Sequence, residues 1–249
     1  SASLGAPVLD SDPSDPEWTS EVGTVDLDTA MAFGKRELKP TALRKEVKFS
    51  RTLVRLSAIP VNQLIQERLA YKFGVAEENN FMNGNGASKP LGVFVASDHG
   101  IPASRDVSEG NEETYPTFDG LINALESLKE QHQANSTWVF HRDVIKAIRK
   151  LKDGEGQYLW QPATIAGNPD TILGRPYRRS EYAPNVMTTG KIVGIVGNFQ
   201  HYWIAQSLAM EVVPVNELYI RTNQQAIIGA MEIDGMPVLG EAFARVKLA

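Results

Sequence analysis

The sequence predicts an α+β fold, in which strands and helices occupy separate stretches of the chain. Two early runs alternate apolar and polar residues, which is typical of half-buried strands. A longer stretch, residues 61–81, places its apolar residues at helical spacing instead. Strand-like pieces and shorter helical patterns then follow to the end of the 249-residue chain. This length suffices for one large or two small domains.

The composition excludes several classes of protein. The chain is 42% hydrophobic and 22% charged, as globular domains are. It contains no cysteine, which rules out disulfides, thiolate zinc sites, iron–sulfur clusters and a cysteine nucleophile. Its 25 basic and 30 acidic residues give a net charge of -5. This charge disfavours a general nucleic-acid coat, because non-specific binding requires many cationic contacts with phosphates.

No membrane span or signal peptide is predicted. Residues 192–210 form the longest run without a formal charge, but polar side chains that lipid would penalise interrupt it. We therefore expect two buried strands there. The start, Ser1-Ala2-Ser3, has no basic or apolar signal region and no initiator Met. We expect a processed or trimmed product.

The N-terminal fifth of the chain predicts an arm followed by a long hairpin. Residues 1–20 are rich in Ser, Asp and Pro and lack basic residues, so a mobile arm or linker is expected. Alternating runs then occupy residues 25–33 and 43–53. These runs predict two antiparallel strands that fold about a tip near Leu38.

The predicted register gives the hairpin favourable cross-strand pairs. It places Leu27 opposite Phe49, and Asp28 opposite Lys48. Because two strands alone are marginally stable in water, the hairpin is expected to lie on another surface. That surface belongs either to the same chain or to a neighbouring one.

Charge is segregated along this region. The acidic residues come first: Asp10, Asp12, Asp15, Glu17, Glu21, Asp26 and Asp28. Basic residues dominate afterwards, and those nearest the predicted tip are Lys35, Arg36 and Lys39. Three explanations stay open: the strands neutralise each other, the basic tip docks on an acidic patch of another copy, or the arm contacts nucleic acid. The candidate inter-subunit contacts are Lys35, Arg36, Lys39, Asp10, Asp12, Asp15 and Glu17.

Residues 61–81 carry the strongest helical signal. Pro60 suits the start of this helix, and Asn83-Gly84-Asn85-Gly86 is expected to end it. About twenty residues of helix span roughly 30 Å, the length of a structural girder in a chain of this size.

The rest of the chain predicts shorter elements. Thr117 and His141 are expected to cap helices on either side of a strand at residues 137–140. Further strand-like pieces occupy residues 172–177, 192–196, 202–205, 212–215, 218–221 and 225–233.

No group of residues predicts an active site. The four histidines, His99, His132, His141 and His201, lack the spacing of metal ligands. Residues 84–90 superficially resemble a phosphate-binding loop, but they follow a helix and lack the usual Gly-Lys-Ser/Thr ending. We therefore predict no catalysis, no cofactor and no metal.

Six segments, taken in their order, carry a resemblance to a known family. They are Trp18-Thr19-Ser20-Glu21; Leu38-Lys39-Pro40; residues 60–86 followed by Lys89-Pro90-Leu91-Gly92-Val93; residues 138–159; Leu173-Gly174-Arg175-Pro176; and Gly197-Asn198-Phe199 with Tyr202. The series resembles the major capsid proteins of tailed bacteriophages with the HK97-type fold. The resemblance covers about residues 17–248, and no single segment is specific without the others.

The resemblance implies an HK97-like capsid fold with a long β-hairpin (the extended loop), a long spine helix, and peripheral and axial domains. The implied division is a shortened acidic N-terminal arm at 1–16, the extended loop at 17–58, a peripheral domain at 59–116 and 206–233, and an axial domain at 117–205 and 234–249. Family members commonly carry a longer segment before the hairpin.

The implied function is structural and not enzymatic. Copies of the chain would form hexamers and pentamers of an icosahedral phage or prophage shell around double-stranded DNA, without sequence-specific binding or a membrane. Expected partners are a portal, a scaffold or maturation protease, and a decoration protein. The chain would be made in the host cytoplasm and reside in the virion. The alternative is an encapsulin-like nanocompartment with a protein cargo; a soluble enzyme and a basic-arm nucleic-acid-binding module are rivals from other classes.

Some family members join subunits through a Lys–Asn isopeptide bond that a Glu assists. Lys39 lies near the matching Lys, and Thr222 or Asn223 lies near the matching Asn. The Glu position falls at about Gly229 or Ala230, neither of which can act as an acid or base. We therefore expect no autocatalytic crosslink.

Overall fold

The computed structural model describes residues 4–11, 32–57, 59–160, 170–215 and 217–249, and these form three sheets. The first sheet is an antiparallel hairpin of β1 (Leu4–Ser11) and β2 (Ala32–Leu38). Its ladder runs from the pair Leu4 and Leu38 to the pair Ser11 and Ala32. Residues 4–11, predicted as part of a mobile arm, therefore form a strand.

The second sheet has three strands in the order β3-β10-β9. Its members are β3 (Thr41–Ser50), β9 (Tyr202–Val215) and β10 (Gln224–Pro237). Helix α1 (Arg51–Leu56) follows β3, and the long helix α2 (Val61–Asn83) packs on the sheet. The predicted helix at 61–81 is confirmed, and Gly84 ends it with an N–H that donates to Asn80 O at 2.8 Å.

The predicted hairpin tip near Leu38 is wrong, and the predicted pairs of Leu27 with Phe49 and Asp28 with Lys48 stay a prediction. β3 pairs with β10, so Phe49 lies opposite Gln225 and Lys48 lies opposite Ala226. The predicted partners at 27 and 28 lie outside the described residues. Leu38 is buried where the chain passes from β2 into β3, and not at a tip. The alternating pattern identified β3 as a strand correctly, but such a pattern does not specify which strand lies beside it.

The partner of β3 is selected by apolar residues from distant parts of the sequence. Ile227 and Met231 of β10 pack with Phe49 against Leu69 and Phe73 of α2. All five side chains are buried. Burial of large apolar side chains contributes about 1.5–3 kcal/mol each, so this cluster determines the pairing.

Two predictions around β9 also need correction. Residues 202–205 and 212–215 belong to one 14-residue strand, and most of its side chains are exposed or half-buried, not buried. Residues 218–221 were predicted as a strand but lie in the turn between β9 and β10. This turn contains a 3-10 segment, Ile220–Thr222, and ends at Asn223 with a φ of 54°. Asn tolerates that left-handed conformation better than most residues.

The third sheet has six strands in the order β4-β11-β8-β5-β7-β6. They are β4 (Asp106–Val107), β5 (Thr137–Phe140), β6 (Thr171–Ile172), β7 (Arg175–Arg179), β8 (Ile192–Gly197) and β11 (Phe243–Lys247). Helices α3 (Phe118–Glu126), α4 (Glu130–Gln133) and α5 (Arg142–Arg149) accompany it. Trp138 and Phe140 are fully buried in its core.

Both predicted helix caps in this part are confirmed. Thr117 Oγ1 accepts a hydrogen bond from Gly120 N at 3.1 Å, at the start of α3. His141 Nδ1 accepts from Asp143 N at 3.2 Å, at the start of α5. The predicted strand at 172–177 divides into β6 and β7, because Leu173 and Gly174 turn with positive φ angles.

The loop after α2 joins the two larger sheets. Val93 N donates to Phe81 O and Phe94 N donates to Met82 O, each at 3.0 Å, while Leu91 N donates to Gly235 O at 2.7 Å. These bonds tie the end of α2 to β10. Among the described residues, no helix combines the length and apolar character needed to cross a bilayer.

Candidate assembly surfaces

The β1–β2 hairpin is anchored at one end only in the described part of the chain. Leu38 is buried, and the neighbouring Lys39 N donates to Asp234 Oδ2 at 2.7 Å. Arg36 Nη1 donates to His99 Nδ1 at 3.2 Å. Six residue steps separate Leu38 from Ala32, a distance of about 20 Å in an extended strand. The hairpin therefore forms a ribbon fixed at its base.

The basic residues predicted as a docking tip lie towards this base. Lys35 and Arg36 belong to β2, and Lys39 follows it. Lys39 Nζ lies 3.4 Å from the Glu37 carboxylate, in an exposed position. The structure therefore does not place these three residues at a protruding end.

The acidic candidates belong to the other part of the ribbon. Asp10 lies in β1, close to the end that is far from Leu38. Asp12, Asp15 and Glu17 lie outside the described residues. Inter-subunit contact by any of the seven candidates stays a prediction.

A groove of about 600 Å³ lies between β3 and α2. Its floor is apolar and includes Leu43, Val47, Leu64, Ile65 and Phe73. β3 is the first strand of its sheet, so one edge of it has no ladder partner in the described residues. An open strand edge beside an apolar groove is a surface that can accept another strand.

Among the described residues, four cations and no acidic residue line this groove. They are Arg44 and Lys45 of β3, and Arg68 and Lys72 of α2. Within the described part of the chain, none of the four forms an ion pair. None of the four is among the contacts predicted from the sequence. The i,i+4 spacing of Arg68 and Lys72 on one helix face was the available signal.

A second surface lies where α1 meets the β9–β10 turn. Arg51 N donates to Asn223 O at 3.1 Å, which joins the two segments. Large apolar side chains are exposed on both, with Leu56 80% and Leu218 68% exposed. Apolar side chains exposed together are typical of an interaction surface.

A histidine pair lies beside the C-terminal strand. The rings of buried His132 and half-buried His201 meet edge to face with centroids 5.1 Å apart. Lys129 Nζ lies 2.8 Å from a Glu241 carboxylate oxygen, and this interaction lowers the pKa of Glu241. Burial, and then the neighbouring His132, lower the pKa of His201. No group of three or more potential metal ligands occurs among the described residues.

Replacement of His201 by Asn is expected to reduce the loss of stability on mild acidification. The folded state lowers the pKa of His201, so the unfolded chain takes up its proton first as the pH falls through about 6.5. The wild type therefore loses stability below that pH. The stabilisation by Glu241 is lost only at lower pH, below about 4.5, because the folded state lowers the pKa of this carboxylate. Urea unfolding of unassembled subunits at several pH values would measure the difference, and equal pH slopes would contradict the prediction.

Comparison with known proteins identifies the family. The model of the phage capsid family matches residues 6–248. The chain belongs to the phage capsid family. It is a structural subunit of a capsid shell, and its place is the virion. Among curated proteins, no match is found.

Solved capsids share the fold of this phage capsid family member. The capsid of the native GTA particle is 22% identical with a TM-score of 0.86, and the match covers 100% of this chain and 86% of that chain. The capsid of the empty GTA particle is 22% identical with a TM-score of 0.84, and the match covers 99% of this chain and 85% of that chain. The chain from Gordonia phage Cozz is 15% identical with a TM-score of 0.69, and the match covers 98% of this chain and 81% of that chain. The prediction of an α+β, HK97-like capsid fold is confirmed.

Assembled particles of this family member are expected to contain no covalent crosslinks. Gly229 lies in β10, where a Cβ would point towards Leu69 and Phe73. Neither Gly229 nor Ala230 supplies a carboxylate. The positions that match the assisting Glu of the family therefore supply no group to accept a proton from the amine of a lysine. Denaturing electrophoresis and intact mass measurement should give one species at the 27.4 kDa of the chain; a ladder of multiples would contradict this.

Proposed function

We propose that copies of this chain assemble as hexamers and pentamers into a closed icosahedral shell around double-stranded DNA. The main observation that supports this proposal is the apolar surface that a single subunit exposes at Leu56 and Leu218. Such exposure is unfavourable in a solitary soluble protein but suits a large obligate interface. The one-sided anchorage of the hairpin supports the same proposal, because a two-stranded ribbon gains stability from a further surface.

The proposed subunit has a peripheral domain built on the three-stranded sheet and an axial domain built on the six-stranded sheet. The boundaries implied by the resemblance, 59–116 with 206–233 and 117–205 with 234–249, are adjusted to these sheets: β3 and the whole of β9 and β10 join the peripheral domain, and β4 joins the axial domain. We now assign the extended loop to the ribbon that includes Leu4–Ser11 and Ala32–Leu38, in place of 17–58. No separate N-terminal arm is proposed for residues 4–11.

A net charge of -5 suits a shell wall that holds DNA without gripping it. The proposed partners beyond further copies are a portal, a scaffold or maturation protease, and a decoration protein. Synthesis in the host cytoplasm is part of the same proposal.

Electron microscopy of the purified protein tests the proposal. We expect closed particles of uniform diameter when the chain is expressed alone or with its neighbouring phage proteins. Particles from infected cells should contain nuclease-protected DNA. A small discrete oligomer, or a shell filled with a protein cargo, would contradict the proposal.

A further inference from the structure

We infer that the outer face of α5 and the adjoining end of β7 contact the phosphate backbone of the enclosed duplex. The inference rests on the proposed shell, and it identifies the part of the subunit that meets the DNA. This cationic face consists of Arg142, Lys146, Arg149 and Lys150, in α5 and at its end, together with Arg179 of β7. The inference places the face on the inner wall of the shell.

Basic residues are concentrated in this part of the chain. Residues 142–152 contain five basic residues and one acidic residue, and residues 175–179 contain three basic residues and no acidic one. The chain as a whole is acidic, with a net charge of -5. A local cluster of one sign creates a positive potential at its own surface, even where the average charge of the protein is negative.

Helix α5 directs its cations away from the core. Lys146 and Lys150 are four residues apart and both are exposed, so they share one helix face. Arg142 is exposed one turn before Lys146 and lies on the same face. The buried residues of the helix are Val144, Ile145 and Ile148.

A tyrosine joins the helix to β7. Tyr177 Oη accepts a hydrogen bond from Arg149 Nη2 at 3.4 Å and a second one from Arg179 Nη2 at 3.0 Å. The same hydroxyl donates to Asp170 Oδ2 at 3.2 Å. A hydroxyl offers two acceptor positions and one donor, so this tyrosine uses its full capacity and holds both guanidinium groups in place. Groups that are already held lose less conformational freedom when a ligand binds.

Three of the five cations have no acidic partner to neutralise them. Arg142 Nε lies 3.5 Å from a Glu181 carboxylate oxygen, and Arg149 Nη2 lies 3.0 Å from Asp170 Oδ2. Within the described part of the chain, the other three form no ion pair; they are Lys146, Lys150 and Arg179. Contact of such cations with phosphates releases the counter-ions that DNA condenses, and this release favours binding.

The composition of the cationic face favours a polyanion over a protein partner. No large apolar side chain is exposed in residues 142–152 or 175–179, in contrast to the surface at Leu56 and Leu218. Stable protein interfaces bury apolar or aromatic anchors at their centre. Phosphate groups require only cations and N–H donors, and a guanidinium can bind a phosphate through two parallel hydrogen bonds.

The contact is weak in each copy and is repeated in every copy of the shell. Three cations without partners are few beside the roughly 6–10 phosphate contacts of a tightly bound DNA-binding protein. The duplex is therefore touched at many points and held tightly at none. This behaviour is consistent with a wall whose net charge is negative.

Labelling of lysines in intact particles tests the inference. Wild-type particles that hold DNA, and the same particles after they have released it, are treated with a small acylating reagent, and mass spectrometry locates the modified residues. We expect Lys146 and Lys150 to react several-fold more slowly in the filled particles. Lys191, an exposed residue before β8 that lies outside the cationic face, is the matched control and should react equally in both.

Equal reactivity of Lys146 and Lys150 in filled and emptied particles would overturn the inference; slow labelling in both states would assign the face to a contact with protein. Wild-type particles without nuclease-protected DNA would instead contradict the proposed function, so the two failures are distinguishable.

The salt dependence of DNA binding by unassembled subunits is an independent measurement. Lys146→Gln/Lys150→Gln removes two of the inferred phosphate contacts, so the slope of log K against log salt for a short duplex should fall in magnitude by about 1.8. Lys89→Gln/Lys191→Gln removes the same charge at two exposed positions outside the face and should leave the slope unchanged. An equal change in both variants would indicate attraction by net charge alone, and no change in either would show that the face does not bind phosphate; each result would overturn the inference.

Discussion

Replacement of Asp106 by Ala is expected to lower the free energy of unfolding by about 3–5 kcal/mol. Arg245 lies in β11 and is fully buried. Its Nε donates to Asp106 Oδ1 at 2.6 Å, and its Nη2 donates to Pro102 O at 3.0 Å. Without the carboxylate, a buried guanidinium keeps its charge but loses its counter-ion, because arginine does not deprotonate in proteins. Urea unfolding of unassembled subunits, followed by tryptophan fluorescence, would measure the loss.

A double replacement separates the unpaired charge from the loss of packing. Asp106→Ala/Arg245→Met removes the buried cation and keeps much of its volume, so it should recover a large part of the stability. Arg142→Ala removes a partner of Glu181 in an exposed pair with an N–O distance of 3.5 Å; it should cost less than about 1 kcal/mol. A loss for Asp106→Ala no greater than that of Arg142→Ala would contradict the prediction.

Local features of this fold are predictable because local residues determine them. α2 follows from the helical spacing of its apolar residues and from the glycine after Asn83. The caps Thr117 and His141 follow from polar side chains placed directly before helical patterns. Strand β5 follows from a short apolar and aromatic run.

Strand partners are not predictable in the same way. β3 could be identified as a strand, but its neighbour β10 begins more than 170 residues later in the chain. The pairing depends on which apolar faces can be buried together under α2, and a hydrophobic pattern contains no information about that choice. The sequence instead suggests a nearby alternating run, residues 25–33, as the neighbour of β3, and it places the hairpin tip near Leu38, which is buried.

The candidate assembly surfaces also combine features that are visible in the sequence with features that arise only from the tertiary structure. The charge segregation of the N-terminal region is visible in the sequence, and the contacts predicted from it stay a prediction. The groove itself requires β3 beside α2, so its combination of Arg44 with Arg68 arises only from tertiary structure. The buried pair of Arg245 and Asp106 is also not predictable from the sequence, because the pattern around Arg245 does not show which acidic residue lies beside it. Arg245 lies between Ala244 and Val246 in β11.

Replacement of Gly92 by Ala is expected to lower the free energy of unfolding by about 3 kcal/mol or more, and to reduce shell assembly. A Cβ at this position would collide with Met82 O, and would lie 2.5 Å from Met82 C and 2.6 Å from Asn83 N. These are backbone atoms of α2, so no side-chain rotation can relieve the contact. Separation of the two segments would break the bonds from Val93 N and Phe94 N to the end of the helix.

The same helix provides the matched control for Gly92→Ala. A Cβ at Gly74 would meet no atom within 4 Å, so Gly74→Ala should raise stability by about 0.5–1 kcal/mol through the higher helix propensity of alanine. Thermal unfolding of the two variants should therefore shift in opposite directions from the wild type. Particle yield should fall only for Gly92→Ala, because the exit of α2 joins that helix to β10 and to the loop leading into the six-stranded sheet. Unchanged melting of Gly92→Ala would show that this junction can widen freely, and that the close approach of Gly92 to α2 is not what holds the two larger sheets together.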